Sequence, residues 1–302
     1  MKVVDIHSHF FSRPFFETLA ALAPDADLNA VAGSAGFELP DADTGRHLAR
    51  WLAELDRHDV EHMVTFASLL EEAPAVVEAV RLSKGRLSGC ALVNPRAPEA
   101  DRKLAGLLDE GGLAGALFFP AMHHFRIDGE EVRALFRQLS ERRALVFVHC
   151  GLLVVNIRDR LGLPRPYDLS YANPLDLVPA ANAARGANFI IPHFGAGFFR
   201  EALMAGSQCE NIHLDTSSSN SWIRTQPSAP TLREVFARAL DVFGADRILF
   251  GTDSNVFPAG WRSDRLDEQR RCLDDLGVGA AEQEKIFRGN AARLLSGIGT
   301  GA

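Results

Sequence analysis

The chain has 302 residues, which suits one large domain or two ordinary ones; an α/β barrel takes about 250 residues as one domain. With 47% hydrophobic and 24% charged residues, it has the composition of a globular protein that buries a large core. A formal net charge of −7 argues against general affinity for nucleic acid or anionic membrane, and no apolar run reaches the ~20 residues a membrane-spanning helix needs.

The first predicted element is the run Val3-Val4-Asp5-Ile6-His7-Ser8-His9, whose apolar, β-branched start reads as a buried strand. Further strand-like runs follow at 62–67, 87–93, 114–119, 145–149, 188–193, 211–215 and 248–253. Pro192 is unusual in a central strand, so the sixth run is expected to end there. Helical spacing separates the runs: Leu48, Trp51, Leu52 and Leu55; then Val132, Leu135, Phe136 and Leu139, with Asp128 as the expected N-cap; then Leu232, Val235, Phe236 and Leu240. Strand and helix in alternation imply a parallel sheet with right-handed crossovers. Eight such units predict an α/β fold of the (β/α)8 TIM barrel type, as a single domain over residues 1–302; an open doubly wound sheet is the alternative. Two connections, from Phe10 to about Asp43 and from Gly151 to about Gly186, exceed what a barrel needs and read as binding lids or packed accessory helices. The Gly-rich tail from Gly297 is expected to fray.

Cys90, Cys150, Cys209 and Cys272 form no CxxC and read as free thiols of a reducing compartment. The N-terminus enters a His-bearing strand at once, so no signal peptide is expected and a cytoplasmic location is.

Side chains alternate along a strand, so His7 and His9 share a face, and two imidazoles one pleat apart can share one metal ion. His149, His193 and Asp253 also fall at predicted strand ends, the face on which barrel active sites lie. Each alone reads as a hydrogen-bonded core residue. Together they read as a site, because burying several imidazoles and a carboxylate costs several kcal/mol unless a cation partners them. Nitrogen and carboxylate donors suit zinc, with manganese or iron as alternatives. Zinc lowers the pKa of bound water from about 15.7 to about 7, which is roughly 12 kcal/mol toward hydroxide.

The His7-Ser8-His9 strand, Val148-His149, Pro192-His193-Phe194-Gly195, Gly251-Thr252-Asp253 and Gly289-Asn290-Ala291-Ala292-Arg293-Leu294-Leu295 follow one another over nearly the whole chain. In that order they resemble the amidohydrolase superfamily, above all its amidohydrolase-related branch, which includes the aminocarboxymuconate-semialdehyde decarboxylases. The resemblance implies that His7, His9, His149 and Asp253 bind one divalent metal ion, zinc first. It implies that His193 lies beside the metal as acid/base or electrophile and that Asp253 also accepts a proton from the activated water. Two-metal members bridge their ions through a lysine, glutamate or cysteine on strand four. Here that strand ends Phe118-Phe119-Pro120, so one ion is expected, which argues against a nuclease. The resemblance also allows a homodimer.

Trp261 and Arg262 follow Asp253 and suit stacking on, and pairing with, a planar acidic substrate, as do Arg158 and Arg160 in the long fifth connection. His123 and His124 read as loop histidines, and His47, His58 and His62 as structural or solvated. His213 reads as a core hydrogen-bonding group, and Asp215 as a residue that orients a neighbour. The expected activity is hydrolysis of an ester, lactone or amide bond of a small organic substrate by metal-activated water. The alternatives are non-oxidative decarboxylation of an aromatic or muconate-type acid, or a non-enzymatic binding barrel. The decarboxylases of the branch carry a carboxylate-binding arginine in the first helix; Arg46 and Arg50 lie near that region, and the sequence fixes the register of neither.

Overall fold

The apolar runs form the strands of a parallel sheet in a computed structural model of the chain, which describes residues 2–299 apart from Pro24 and Ser219. Among the described residues, β1 (Val3–His9), β2 (Val60–Ala67), β3 (Leu87–Leu92), β4 (Gly115–Phe118), β5 (Leu145–Val148), β6 (Asn188–Ile191), β7 (Ile212–Asp215) and β8 (Ile248–Leu249) pair in that order. Helices such as Thr44–Arg57, Glu130–Glu141 and Leu232–Phe243 cross between them. The first edge meets the last: Ile6 N–H donates to the Phe250 carbonyl at 2.9 Å, and His9 N–H to that of Ser254 at 2.7 Å. The fold is the expected (β/α)8 TIM barrel. Among the described residues no helix is long and apolar enough to cross a membrane.

Two apolar clusters follow from strand alternation. Val64 and Phe66, Cys90 and Leu92, Leu145 and Phe147, Ile190 and Leu249 fill the barrel interior. The residues between them, among them Ala91, Val146 and Phe189, face the helices. On β1, Val4 and Ile6 point inward, so strict alternation would turn His7 outward. The β1–β2 register slips between Asp5 and Ser8. The irregularity lets His7 join Ile6 inside, where its ring meets Phe66 at 4.7 Å and Phe147 at 6.0 Å.

Several boundaries differ from the sequence reading. β6 stops at Ile191, as Pro192 foretold, so His193 stands on a tight turn beyond the strand. β8 is only Ile248–Leu249, so Asp253 stands on the loop that follows. The helix over Glu130–Glu141 is capped by Gly129; the expected cap, Asp128, instead pairs with Arg126 at 2.9 Å. The expected fraying of the tail concerns in part residues 300–302, outside the described residues.

The two long connections meet above the rim. The first carries α1 (Arg13–Ala21) and α2 (Leu28–Ala35). Its Phe15, Phe16 and Leu19 form a satellite apolar cluster with Leu161, flanked by Phe11, Phe37, Ile157 and Leu163. The aromatic residues of the first loop therefore pack against the second loop.

Candidate metal centre

His7, His9 and Asp253 each offer a ligand atom, and these atoms lie within 4.8 Å of one another. His9 Nε2 is 3.2 Å and His7 Nε2 3.8 Å from Asp253 Oδ1. Both imidazoles are anchored through their other nitrogen: His7 Nδ1 to Asp215 Oδ2 at 2.5 Å, and His9 Nδ1 to Ser68 Oγ at 2.8 Å. Anchoring Nδ1 fixes ring orientation and leaves Nε2 for a cation. Asp215 thus orients a neighbour, as the sequence suggested.

Asp253 has left-handed backbone, φ +60°, and its N–H donates to the His7 carbonyl at 2.9 Å. The loop that carries it fits because residue 251 is glycine. A Cβ there would stand 2.9 Å from the Cβ atoms of His7 and Ser217. His193, φ +56°, is likewise left-handed. Such backbone costs of order 1–3 kcal/mol per residue and persists only where surroundings over-determine it. His193 Nδ1 meets Ser217 Oγ at 2.9 Å, and its ring lies 4.7 Å from His7 and 4.9 Å from His149. His149 is 7% exposed, stands outside the trio above, and has no hydrogen bond at Nδ1.

The charges sort by partner. Burial opposes charge on Asp253, but the His9 hydrogen bond and the nearby imidazoles outweigh it and hold the carboxyl well below the usual carboxylate range. Burial likewise opposes charge on His7, but Asp215 outweighs it and holds the imidazole above its ordinary value. Burial lowers His149 and His193; repulsion from His193 and His7 adds to it at His149, and repulsion from His7 at His193, and the pull of Asp253 does not outweigh them. One carboxylate, Asp253, and the Nε2 atoms of His7 and His9 face one point and make a donor set that fits a divalent cation such as zinc.

The expected substrate residues are placed unequally. Arg262 is held above its ordinary value by Asp264, 2.7 Å away, and further by Asp253. Trp261 is 2% exposed and donates its indole N–H to Asp5 Oδ2 at 2.8 Å, so it belongs to the wall behind β1 and is not free to stack on a ligand. Arg158 donates to the Pro164 carbonyl at 3.1 Å, within its own loop. Arg46 pairs with Asp41, and Arg50 with Glu38. Asp5, Ser68 and Ser217 were missed in the sequence. The signal for Ser68 and Ser217 was a hydroxyl one or two residues past a strand end.

A family model described as amidohydrolase matches residues 4–297. The chain belongs to that family. No curated protein matches it. Solved structures share the fold at low identity. A 2,6-dihydroxybenzoate decarboxylase complexed with 2,6-dihydroxybenzoate is 19% identical, with 98% of this amidohydrolase and 99% of that chain covered and a TM-score of 0.65. A manganese-bound variant of the 5-carboxyvanillate decarboxylase of Novosphingobium aromaticivorans is 14% identical, covering 98% and 97%, with a TM-score of 0.65. A Pseudomonas putida protein assigned as a 2-pyrone-4,6-dicarboxylic acid hydrolase is 17% identical, covering 98% and 98%, with a TM-score of 0.59.

Proposed function

We propose that this amidohydrolase is a metal-dependent hydrolase of an ester, lactone or amide bond in a small organic substrate. The observation that carries the reading is Asp253: a carboxylate held ionised, in contact with His9 and beside His7 and His193. His7, His9 and Asp253 would hold one divalent ion, zinc first, with His149 as the fourth donor. When bound, that ion supplies Lewis acidity toward water and a carbonyl oxygen. Asp253, unprotonated at neutral pH and in contact with His9 at the site, would take the proton of the attacking water. In the tautomer that this reading requires, with Nδ1 accepting from Ser217 Oγ and the proton on Nε2, His193 would stabilise the charge that develops on the substrate oxygen. Arg262, electrostatically linked to Asp253, would pair with an acidic substituent of the substrate.

The second reading is non-oxidative decarboxylation of an aromatic or muconate-type acid. The decarboxylases of like fold support it. On the Thr44–Arg57 helix, Arg46 and Arg50 pair with Asp41 and Glu38, so either would have to exchange that partner for a substrate carboxylate, as Arg262 would exchange Asp264. Metal-loaded and chelator-stripped protein assayed on lactones and esters, and on aromatic and muconate-type acids, separates the two. Turnover of a lactone or ester that chelator abolishes is expected; carbon dioxide release with no such turnover rejects the hydrolase.

A further inference from the structure

Glu72 is fully buried in the turn after β2, and among the described residues its partners are N–H and O–H groups, not a cation. One carboxylate oxygen accepts from Ser12 N–H at 2.7 Å and Ser12 Oγ at 3.2 Å. The other accepts from Ser68 N–H at 2.7 Å. Those serines lead in two directions. Ser68 Oγ holds His9 Nδ1 at 2.8 Å. Ser12 caps α1, the helix that brings Phe15 and Phe16 into the cluster above the rim. Just before it, Phe11 has φ +39°, rare for so bulky a side chain, and stacks on the His9 ring at 4.7 Å and on Phe15 at 4.1 Å. A strained Phe11 backbone persists only if both flanks are tied. The His9 stack ties one flank, and the Glu72–Ser12 bond ties the other.

We propose that Glu72 is a positioning residue for the metal centre: a single carboxylate that fixes His9 through Ser68 and roots the first rim loop through Ser12. The proposal rests on the metal-centre reading above. Both arms of Glu72 meet backbone N–H groups, and only the ionised carboxylate offers an acceptor on each. Glutamine keeps the shape but sets an N–H against one of those N–H groups, so one arm is lost. Loss of the Ser68 arm releases the Ser68 backbone N–H and loosens the residue whose hydroxyl holds His9, and groups that orient metal-ligating imidazoles are typically worth about 10–100-fold in metal affinity.

The test is zinc affinity of the full-length, metal-stripped chain, by competition with a fluorescent chelator, for wild type, Glu72→Gln, Ser68→Ala and the double variant. Zinc is expected to bind wild type at one equivalent, about 10–100-fold more weakly to each single variant, and no more weakly to the double variant than to the weaker single. Non-additivity is the readout that a merely structural glutamate would not give. A Glu72→Gln affinity within about twofold of wild type, or losses that multiply in the double variant, overturns the proposal. If wild type itself takes up no zinc, the metal-centre reading falls and takes this inference with it; the wild-type and variant arms therefore fail separately. Should Glu72→Gln not fold, Glu72→Asp, which keeps the charge but is too short to span both serines, is judged by the same two criteria.

Discussion

Two arcs of the barrel rim treat their polar groups in opposite ways. From β6 through β8 and round to β2, the groups gathered at the metal centre are tied: His7 to Asp215, His9 to Ser68, His193 to Ser217 and Asp5 to Thr252. His213 on β7, expected to hydrogen-bond in the core, is the exception, with no partner at Nδ1. Beyond β4 and β5, His123 Nδ1, His149 Nδ1 and the Tyr167 hydroxyl are buried without a hydrogen-bond partner. An unpaired buried polar group costs about 1–3 kcal/mol. The tied arc therefore holds a fixed geometry, as a cation requires, whereas the untied arc carries a cost that only a partner outside the chain's own hydrogen bonds can offset.

This contrast can be broken or sharpened by substitution. The largest effect is expected at Asp253→Asn, which keeps the shape and removes the charge: kcat/KM falls about 10²–10⁴-fold, and an unchanged rate in metal-loaded variant would remove Asp253 as the base. Next, His193→Ala abolishes turnover while metal analysis still finds one ion; loss of the ion would make His193 a ligand and enlarge the trio. Asp215→Asn weakens zinc binding by about 10–100-fold, read by the same chelator competition. An affinity unchanged by that substitution would show that the tied arc owes its geometry to packing alone.

Glu72 supplies a pH signature. Burial raises its carboxyl from 4.5 to about 7. The folded chain therefore holds the proton more tightly than the unfolded one. The stability that this contributes is complete below pH 4.5 and is lost as pH rises through about 7. Across that window the wild type should lose about 3 kcal/mol relative to Glu72→Gln, measured by urea unfolding. Parallel stability curves for the two proteins would mean that the carboxyl titrates normally. The smallest effect belongs to the untied arc. Tyr167→Phe removes a buried hydroxyl that has no partner, so stability should rise by about 1 kcal/mol and zinc affinity should not change. A loss of stability would reveal a partner for that hydroxyl and erase the difference between the arcs.

Much of this was legible in the sequence, because strand and helix periods are local. Hydrophobic runs marked every strand, His149 kept the inward phase of Phe147, and Cys150 turned outward among the helices as its parity required. Pro192 ended β6 as expected, because a proline cannot serve the sheet. The eighth run misled, because the apolar start Ile248-Leu249-Phe250 reads as the opening of a longer strand, but the chain leaves the sheet after Leu249.

Local periodicity was enough to specify the barrel and the short set of residues at its mouth. How they meet follows from contacts made across the closed fold. The slip in β1 turns His7 inward, left-handed backbone aims Asp253 and His193, and Trp261 is drawn behind the wall by Asp5. The reason is distance along the chain: His7 is oriented by a residue 208 positions away, and Trp261 is held by one 256 positions away. Such partners are chosen when the barrel closes, and no period within a strand or helix encodes them.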